Sequence, residues 1–175
     1  MSTPAWLPGL ICLADYSGSW GLYEEVIYEV FKNDFLRSSL NYDGLKIVLK
    51  RLPPMKGKDA TFWHIIEGSS GGGPDLRRCE RIGWPKPIIN NSRDSEIKIW
   101  EEDQQGACRI LIYLECAEYL VVLEKRKSYI LFWTAYPIKY RGKKEDLLKK
   151  YGKYKKKLAP PPSDDDAVAP SARGR

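Results

Sequence analysis

Four apolar runs in the second half of the chain constrain its fold more than any other feature. They are rich in β-branched and aromatic residues, short polar connections join them, and they cover residues 96–101, 109–115, 118–125 and 129–136. Runs of this length and composition between turn signals are typical of strands, and short connections join neighbouring strands as antiparallel hairpins. The pattern therefore predicts a four-stranded antiparallel sheet.

The first half of the chain has a mixed pattern. Over residues 20–37 the apolar side chains recur at helical spacing, which predicts an amphipathic helix with Val26, Val30 and Phe31 buried. A short alternating strand is expected at 45–51, after a turn signal, and further helices are expected at 74–82 and 143–157. The segment 61–67 is ambiguous between a strand and a short helix. This order predicts an α+β protein, with N-terminal helices followed by a four-stranded antiparallel sheet in a single compact domain.

The two ends of the chain differ from the middle. Residues 1–19 contain two prolines and two glycines and are expected to be irregular, apart from a short strand at 10–13. Residues 20–157 are expected to form the folded domain. Residues 158–175 are expected to form a disordered tail, because they are rich in proline and aspartate and offer few apolar side chains to bury.

Charge and cysteine content narrow the functional classes. The chain carries 29 Lys and Arg against 23 Asp and Glu, and much of the excess lies in the lysine-rich segment 143–157. Such a patch favours a polyanionic partner, and Lys149, Lys150 and Lys153 are its candidate binding residues; a solvated face or an acidic lipid surface are the alternatives. No apolar run reaches the length of a membrane span. The four cysteines are not paired as in metal motifs, which favours reduced thiols, a cytoplasmic location and a chain without metal or cofactor.

His64 is the only histidine and the main candidate for proton transfer. Imidazole titrates near neutral pH, which makes it the commonest acid–base group in catalysis. Lys56 and Lys58 precede it, and a glycine-rich loop and an arginine-rich segment follow it. The alternative is a half-buried histidine that hydrogen-bonds to the backbone.

Two further groups of residues suggest phosphate binding. Arg77, Arg78 and Arg81 lie within five residues, and arginine binds phosphate through two parallel hydrogen bonds; local salt bridges on a solvated helix are an equally good interpretation. Strict alternation along the last strand places Ile130, Phe132, Thr134 and Tyr136 on one face. The two hydroxyls of Thr134 and Tyr136 could then address one ligand.

These motifs together resemble a known family. FWHIIEG at 62–68, DLRRCERI at 75–82 and LFWTAYP at 131–137 are similar to segments of the phage- and prophage-associated nuclease-like proteins of the BECR superfamily, named after barnase, EndoU, colicin and RelE. The resemblance covers roughly residues 20–155. It implies N-terminal helices followed by a four-stranded antiparallel sheet.

The resemblance also implies a function. Its relatives include toxins that cut tRNA or mRNA without a metal and that are held in check by an immunity or antitoxin protein. His64, Arg78, Arg81, Thr134 and Tyr136 are then the expected catalytic residues, and Lys56, Lys58 and Arg77 would bind the substrate. A non-catalytic RNA-binding module and a phage regulatory protein that acts by protein contact are the rival interpretations.

Overall fold

The computed structural model describes residues 3–67, 72–104 and 106–158. Within them the chain forms one mixed sheet with helices on both faces. The strands are β1 Asn41–Tyr42, β2 Leu45–Val48, β3 Ile97–Gln104, β4 Ala107–Leu114, β5 Tyr119–Lys125 and β6 Ile130–Pro137, in the spatial order β1-β2-β6-β5-β4-β3.

The prediction of a four-stranded antiparallel sheet is wrong, although the α+β class is confirmed. Strands β3 to β6 do pair antiparallel in sequence order. However, β2 adds to β6 in parallel, with Ile47 opposite Ile130, and β1 pairs antiparallel with β2, so the sheet has six strands. A parallel pair needs a long connection, and no local signal in the sequence specifies such a partner.

The β1–β2 hairpin follows from its turn residues. Asp43 and Gly44 both adopt positive φ, at 49° and 77°. Two such residues make the two-residue loop whose twist matches that of paired strands, and Asp-Gly is among its preferred sequences. The turn signal at residues 41–44 is therefore confirmed.

Five helices connect or flank the strands. They are α1 Trp20–Phe31, which continues as a π-helical turn over Lys32–Leu36, α2 Ala60–Glu67, α3 Leu76–Cys79, α4 Pro85–Asn90 and α5 Arg141–Leu158. The ambiguous segment at 61–67 is thus helical, and the terminal basic helix is confirmed. The helix expected at 74–82 is much shorter: Asp75 caps its N-terminus by accepting from the Arg77 N–H, and Pro85 begins a separate helix.

The buried face of α1 differs in part from the prediction. Phe31 is buried as expected, but Val26 and Val30 are only half-buried, whereas Tyr23 and Ile27 are fully buried. The i, i+4 spacing of Tyr23, Ile27 and Phe31 faces the sheet directly, and the valines lie at its margin.

Two hydrophobic clusters cover the two faces of the sheet. The larger one packs α1, α2 and α4 against inward residues such as Ile112, Val121 and Phe132. The smaller one packs α5 against the opposite face, with Leu147 buried against residues that include Trp100 and Tyr113. None of the helices in the described ranges is long and apolar enough to cross a membrane.

The N-terminal segment has little regular structure, but hydrogen bonds attach it to the rest of the fold. It forms a 3₁₀ turn at Leu13–Tyr16 rather than a strand at 10–13. Trp6 Nε1 donates to Asp94, Trp84 Nε1 donates to the Pro8 carbonyl, and the Ile11 N–H donates to the Glu80 carbonyl. The tail expected to be disordered lies, from residue 159 onward, outside the described residues.

A bulge in β6 changes which residues share a face. Val122 lies opposite Thr134, but the next residue, Leu123, lies opposite Phe132, so Trp133 is an extra residue in the strand. An extra residue reverses the alternation beyond it. Ala135, rather than Thr134, therefore joins Ile130 and Phe132 in the larger cluster, and the predicted shared face of Ile130, Phe132, Thr134 and Tyr136 is wrong.

Candidate active site

An open groove of about 560 Å³ lies where β2 and β6 diverge. The two strands pair only at Ile47–Ile130 and Val48–Leu131, so β6 continues beyond the end of β2 without a strand partner on that side. The end of β2, the loop that follows it, α2 and β6 enclose the groove. Its walls are Lys50, Pro53, Pro54, Met55, Ala60, Thr61, Trp63, His64, Glu67, Leu131, Phe132 and Trp133.

The start of α2 is anchored to the end of β2. Thr61 Oγ1 donates to the Lys50 carbonyl at 2.6 Å, and the Thr61 N–H donates to the same oxygen at 3.0 Å. Arg51 Nε donates to Asp59 Oδ1 at 2.6 Å, which secures the residue before the helix. His64 lies three residues after Thr61 and therefore on the same face of the helix. These bonds place His64 and Lys50 on the walls of one groove.

His64 is the exposed position of α2, between neighbours that are buried in the core. Partial desolvation lowers the pKa of its imidazole below the ordinary value, and the positive charges of Arg78 and Lys50 lower it further. The ring is therefore neutral at pH 7. A neutral, accessible imidazole can accept a proton.

Arg78 lies beside the groove and connects α2, α3 and β6. Its Nη1 donates to the Ile65 carbonyl at 3.1 Å and to the Ala135 carbonyl at 3.4 Å, and its guanidinium lies 5.0 Å from the centre of the Tyr136 ring. These contacts hold a fixed positive charge near His64.

Tyr136 and Thr134 do not lie on the predicted face, the one that contains Ile130 and Phe132. Tyr136 packs against the smaller cluster under α5, and burial raises the pKa of its phenol, although the charges of Arg78 and Lys150 act in the opposite direction. Thr134 is half-buried and does not line the groove. Both hydroxyl residues face away from the larger cluster because of the bulge at Trp133.

The two lysines that precede His64 have separate environments. Lys58 is buried and pairs with Glu24 at 3.0 Å and Glu25 at 2.6 Å, so its charge is already compensated. Lys56 is exposed, and its ammonium lies 5.1 Å from the centre of the Trp63 ring, which lines the groove. Lys56 is therefore the one of the two that can meet a ligand in the groove.

Arg81 and Arg77 do not reach the groove. The Arg81 guanidinium pairs with Glu80 at 3.0 Å and lies over the Trp84 ring at 5.0 Å, while its Nη1 also donates to the Arg77 carbonyl. Arg77 is exposed on α3. The local salt-bridge interpretation therefore describes Arg81, whereas Arg78 is the arginine that accompanies His64.

The lysines of α5 are not among the residues that line the groove. Lys149 and Lys153 are exposed and four residues apart, so they share one face of the helix. Lys150 pairs with Glu102 at 3.2 Å and with Asp146 at 3.7 Å. The basic face that remains open to a polyanion is the one with Lys149 and Lys153.

Three residues that line the groove were not predicted from the sequence: Lys50, Glu67 and Trp133. Lys50 lies two residues beyond β2 and belongs to no motif, and Glu67 ends α2 within FWHIIEG but was given no role there. Trp133 gives no signal of its exposure, because regular alternation hides a bulge. The i, i+3 spacing of His64 and Glu67 was the one available signal that Glu67 shares the histidine's face.

In the described ranges no group of three or more His, Cys, Asp or Glu side chains is placed to hold a metal ion. No protein-family model matches the chain, and no curated protein or solved structure shows significant similarity to it.

Proposed function

We propose that this chain is a metal-independent endoribonuclease of the BECR type, with His64 as its general base. The observation that carries the proposal is a neutral, exposed imidazole in an open groove, next to the positive charges of Lys50 and Arg78. The motifs that resemble the BECR nucleases contribute His64 and Arg78 to this arrangement. A cytoplasmic RNA is the expected substrate, because all four cysteines are free thiols.

The reaction requires the RNA, these side chains and water. His64 accepts the proton of a ribose 2′-hydroxyl, the 2′-oxygen bonds to the adjacent phosphorus, and the bond from phosphorus to the 5′-oxygen breaks. The leaving 5′-oxygen takes a proton from solvent in the open groove, and His64 returns its own to water. Lys50 and Arg78 stabilise the negative charge that develops on the phosphorane oxygens. The products carry a 2′,3′-cyclic phosphate and a 5′-hydroxyl.

Replacing His64 tests the proposal. His64→Ala is expected to reduce EDTA-resistant cleavage of total RNA by about 10²–10⁴-fold, which is the usual contribution of a general base. End-group analysis of the products of the native chain should find 2′,3′-cyclic phosphates. Because His64 is exposed, circular dichroism should show an unchanged fold, and Arg93→Ala, an exposed cation outside the groove, is the control.

Two results would contradict the nuclease. One is a His64→Ala variant that cleaves at the native rate, and the other is a native chain that cleaves no RNA. RNA binding that persists without any cleavage would favour the rival RNA-binding module. The absence of any RNA dependence would favour a protein that acts by protein contact.

A further inference from the structure

Trp133 is an exposed tryptophan at a place where the strand is irregular. Its side chain is 43% exposed, and it is the extra residue of the bulge in β6. Bulges often occur next to active sites, where they redirect one side chain out of the regular alternation. Here the bulge directs the indole into the wall of the groove that contains His64.

The opposite side of the indole is supported by a buried ion pair. The Arg109 guanidinium lies 3.4 Å from the centre of the Trp133 ring, which is direct stacking contact. Arg109 is 8% exposed and Glu124 is 1% exposed, and Glu124 forms ion pairs with both Arg109 and Arg126. Burial of such charges is costly unless they are paired. The paired guanidinium therefore forms a rigid backing that holds the indole in one orientation.

The indole lies between Arg109 and the groove. Trp133 lines the groove whereas Arg109 does not, so the guanidinium covers the ring from the side away from it. An aromatic ring with one side supported and the other side accessible is suited to stacking with a flat partner.

The rest of the groove matches the chemistry of a nucleotide. Leu131, Pro53 and Pro54 extend the apolar wall around Trp133, while Lys50 and His64 provide the polar part. Among the described residues that line it, Glu67 is the only acidic one. Single-stranded nucleic acid combines flat apolar bases with phosphates at regular intervals, and binding sites for it combine aromatic side chains with cations.

We propose that Trp133 stacks with one nucleobase of a single-stranded RNA and thereby places the adjoining phosphate at Lys50 and His64. The inference rests on the proposed ribonuclease function and deepens it by naming the substrate class as unpaired RNA. A base inside a duplex has both faces stacked already and cannot pack on the indole. Because every base has a flat face, the subsite selects for single strands rather than for a sequence.

A comparison of two probes tests the subsite. The probes are a fluorescently labelled oligouridylate and an abasic ribose-phosphate oligomer of the same length, bound in EDTA to the His64→Ala chain so that no cleavage intervenes. Adding Trp133→Ala is expected to weaken binding of the oligouridylate by roughly 5- to 150-fold, the usual effect of losing one stacked base. Binding of the abasic oligomer should stay the same, and Trp133→Phe should restore most of the affinity for the oligouridylate.

Leu22→Ala is the matched control, because it removes another large exposed apolar side chain, 63% exposed, from outside the groove. Equal affinity for the oligouridylate with and without Trp133 would overturn the stacking subsite. So would an equal loss for both probes, since that would indicate a structural role. Trp133-dependent binding by a native chain that cleaves no RNA would support the subsite and overturn the nuclease, and no binding of either probe would overturn both.

Discussion

His64 acquires its chemistry from two neighbours that are distant from it in the sequence. Partial desolvation lowers the pKa of the imidazole, and the positive charges of Arg78 on α3 and of Lys50, just beyond β2, lower it further. A single histidine in an apolar stretch does not have this property by itself. The base is therefore made by three elements that converge on one groove.

The pH dependence of kcat/KM should show how these neighbouring charges shift the pKa of His64. If neutral His64 is the base, kcat/KM rises with pH through the pKa of the imidazole and is constant above it, with a midpoint below the ordinary value of about 6.5. Lys50→Gln removes one charge that disfavours imidazolium, so the pKa should rise and the limb should move to higher pH. Lys46→Gln, an exposed lysine of β2, is the control. An acid limb that does not move in Lys50→Gln would contradict this electrostatic coupling.

Helix α5 is the element whose two sides have different roles. Leu147 and the half-buried Tyr151 face the smaller cluster, while Lys149 and Lys153 face outward. Lysines in the last turn also interact favourably with the C-terminal end of the helix dipole. Because no residue of α5 lines the groove, only an RNA long enough to extend from the groove to α5 could contact both.

Neutralising the outward face should therefore affect long RNA alone. Lys149→Gln combined with Lys153→Gln is expected to weaken binding of a long single-stranded RNA and to reduce the slope of log Kd against log salt by about 1.4, at about 0.7 for each lost phosphate contact. Cleavage of a short oligoribonucleotide should not change. Lys150→Gln is the control, because this ammonium already pairs with Glu102 and Asp146. An unchanged salt slope in the double variant would exclude α5 from the RNA interface.

Long-range contacts attach the N-terminal segment to residues far along the chain. Trp6 bonds to Asp94, Pro8 to Trp84 and Ile11 to Glu80, and the side chains of Trp6, Leu7 and Ile11 pack against the larger cluster. The segment thus covers the side of the core formed by α1 and α4.

Removal of this segment should destabilise the fold. A chain that begins at Cys12 loses four hydrogen bonds worth about 1 kcal/mol each, since the Tyr23 hydroxyl also donates to the Ile11 carbonyl. It also loses the apolar burial of three side chains, so the free energy of unfolding should fall by at least about 4 kcal/mol. Urea denaturation followed by circular dichroism measures the change. A chain that begins at Pro4 keeps all these contacts and is the control. Equal midpoints for the two chains would show that the segment does not contribute.

Local periodicity was sufficient for most of the elements. The apolar runs specified four antiparallel strands, the helical stripe specified α1, and the Asp-Gly pair specified the hairpin, because each of these signals depends on neighbouring residues only. The sequence also identified His64 and Arg78 as chemically distinctive residues, since their side-chain types limit what they can do.

Tertiary structure alone decided the rest. Ile47 and Ile130 are 83 positions apart, and nothing near either residue encodes their parallel pairing. The bulge at Trp133 moves Thr134 and Tyr136 to the other face, and a single extra residue leaves no trace in a pattern of alternation. Likewise, the ion pairs of Lys58 with Glu24 and Glu25, more than 30 positions away, depend on where acidic side chains lie in space. The groove is therefore a property of the folded sheet, because it exists only where β2 and β6 part.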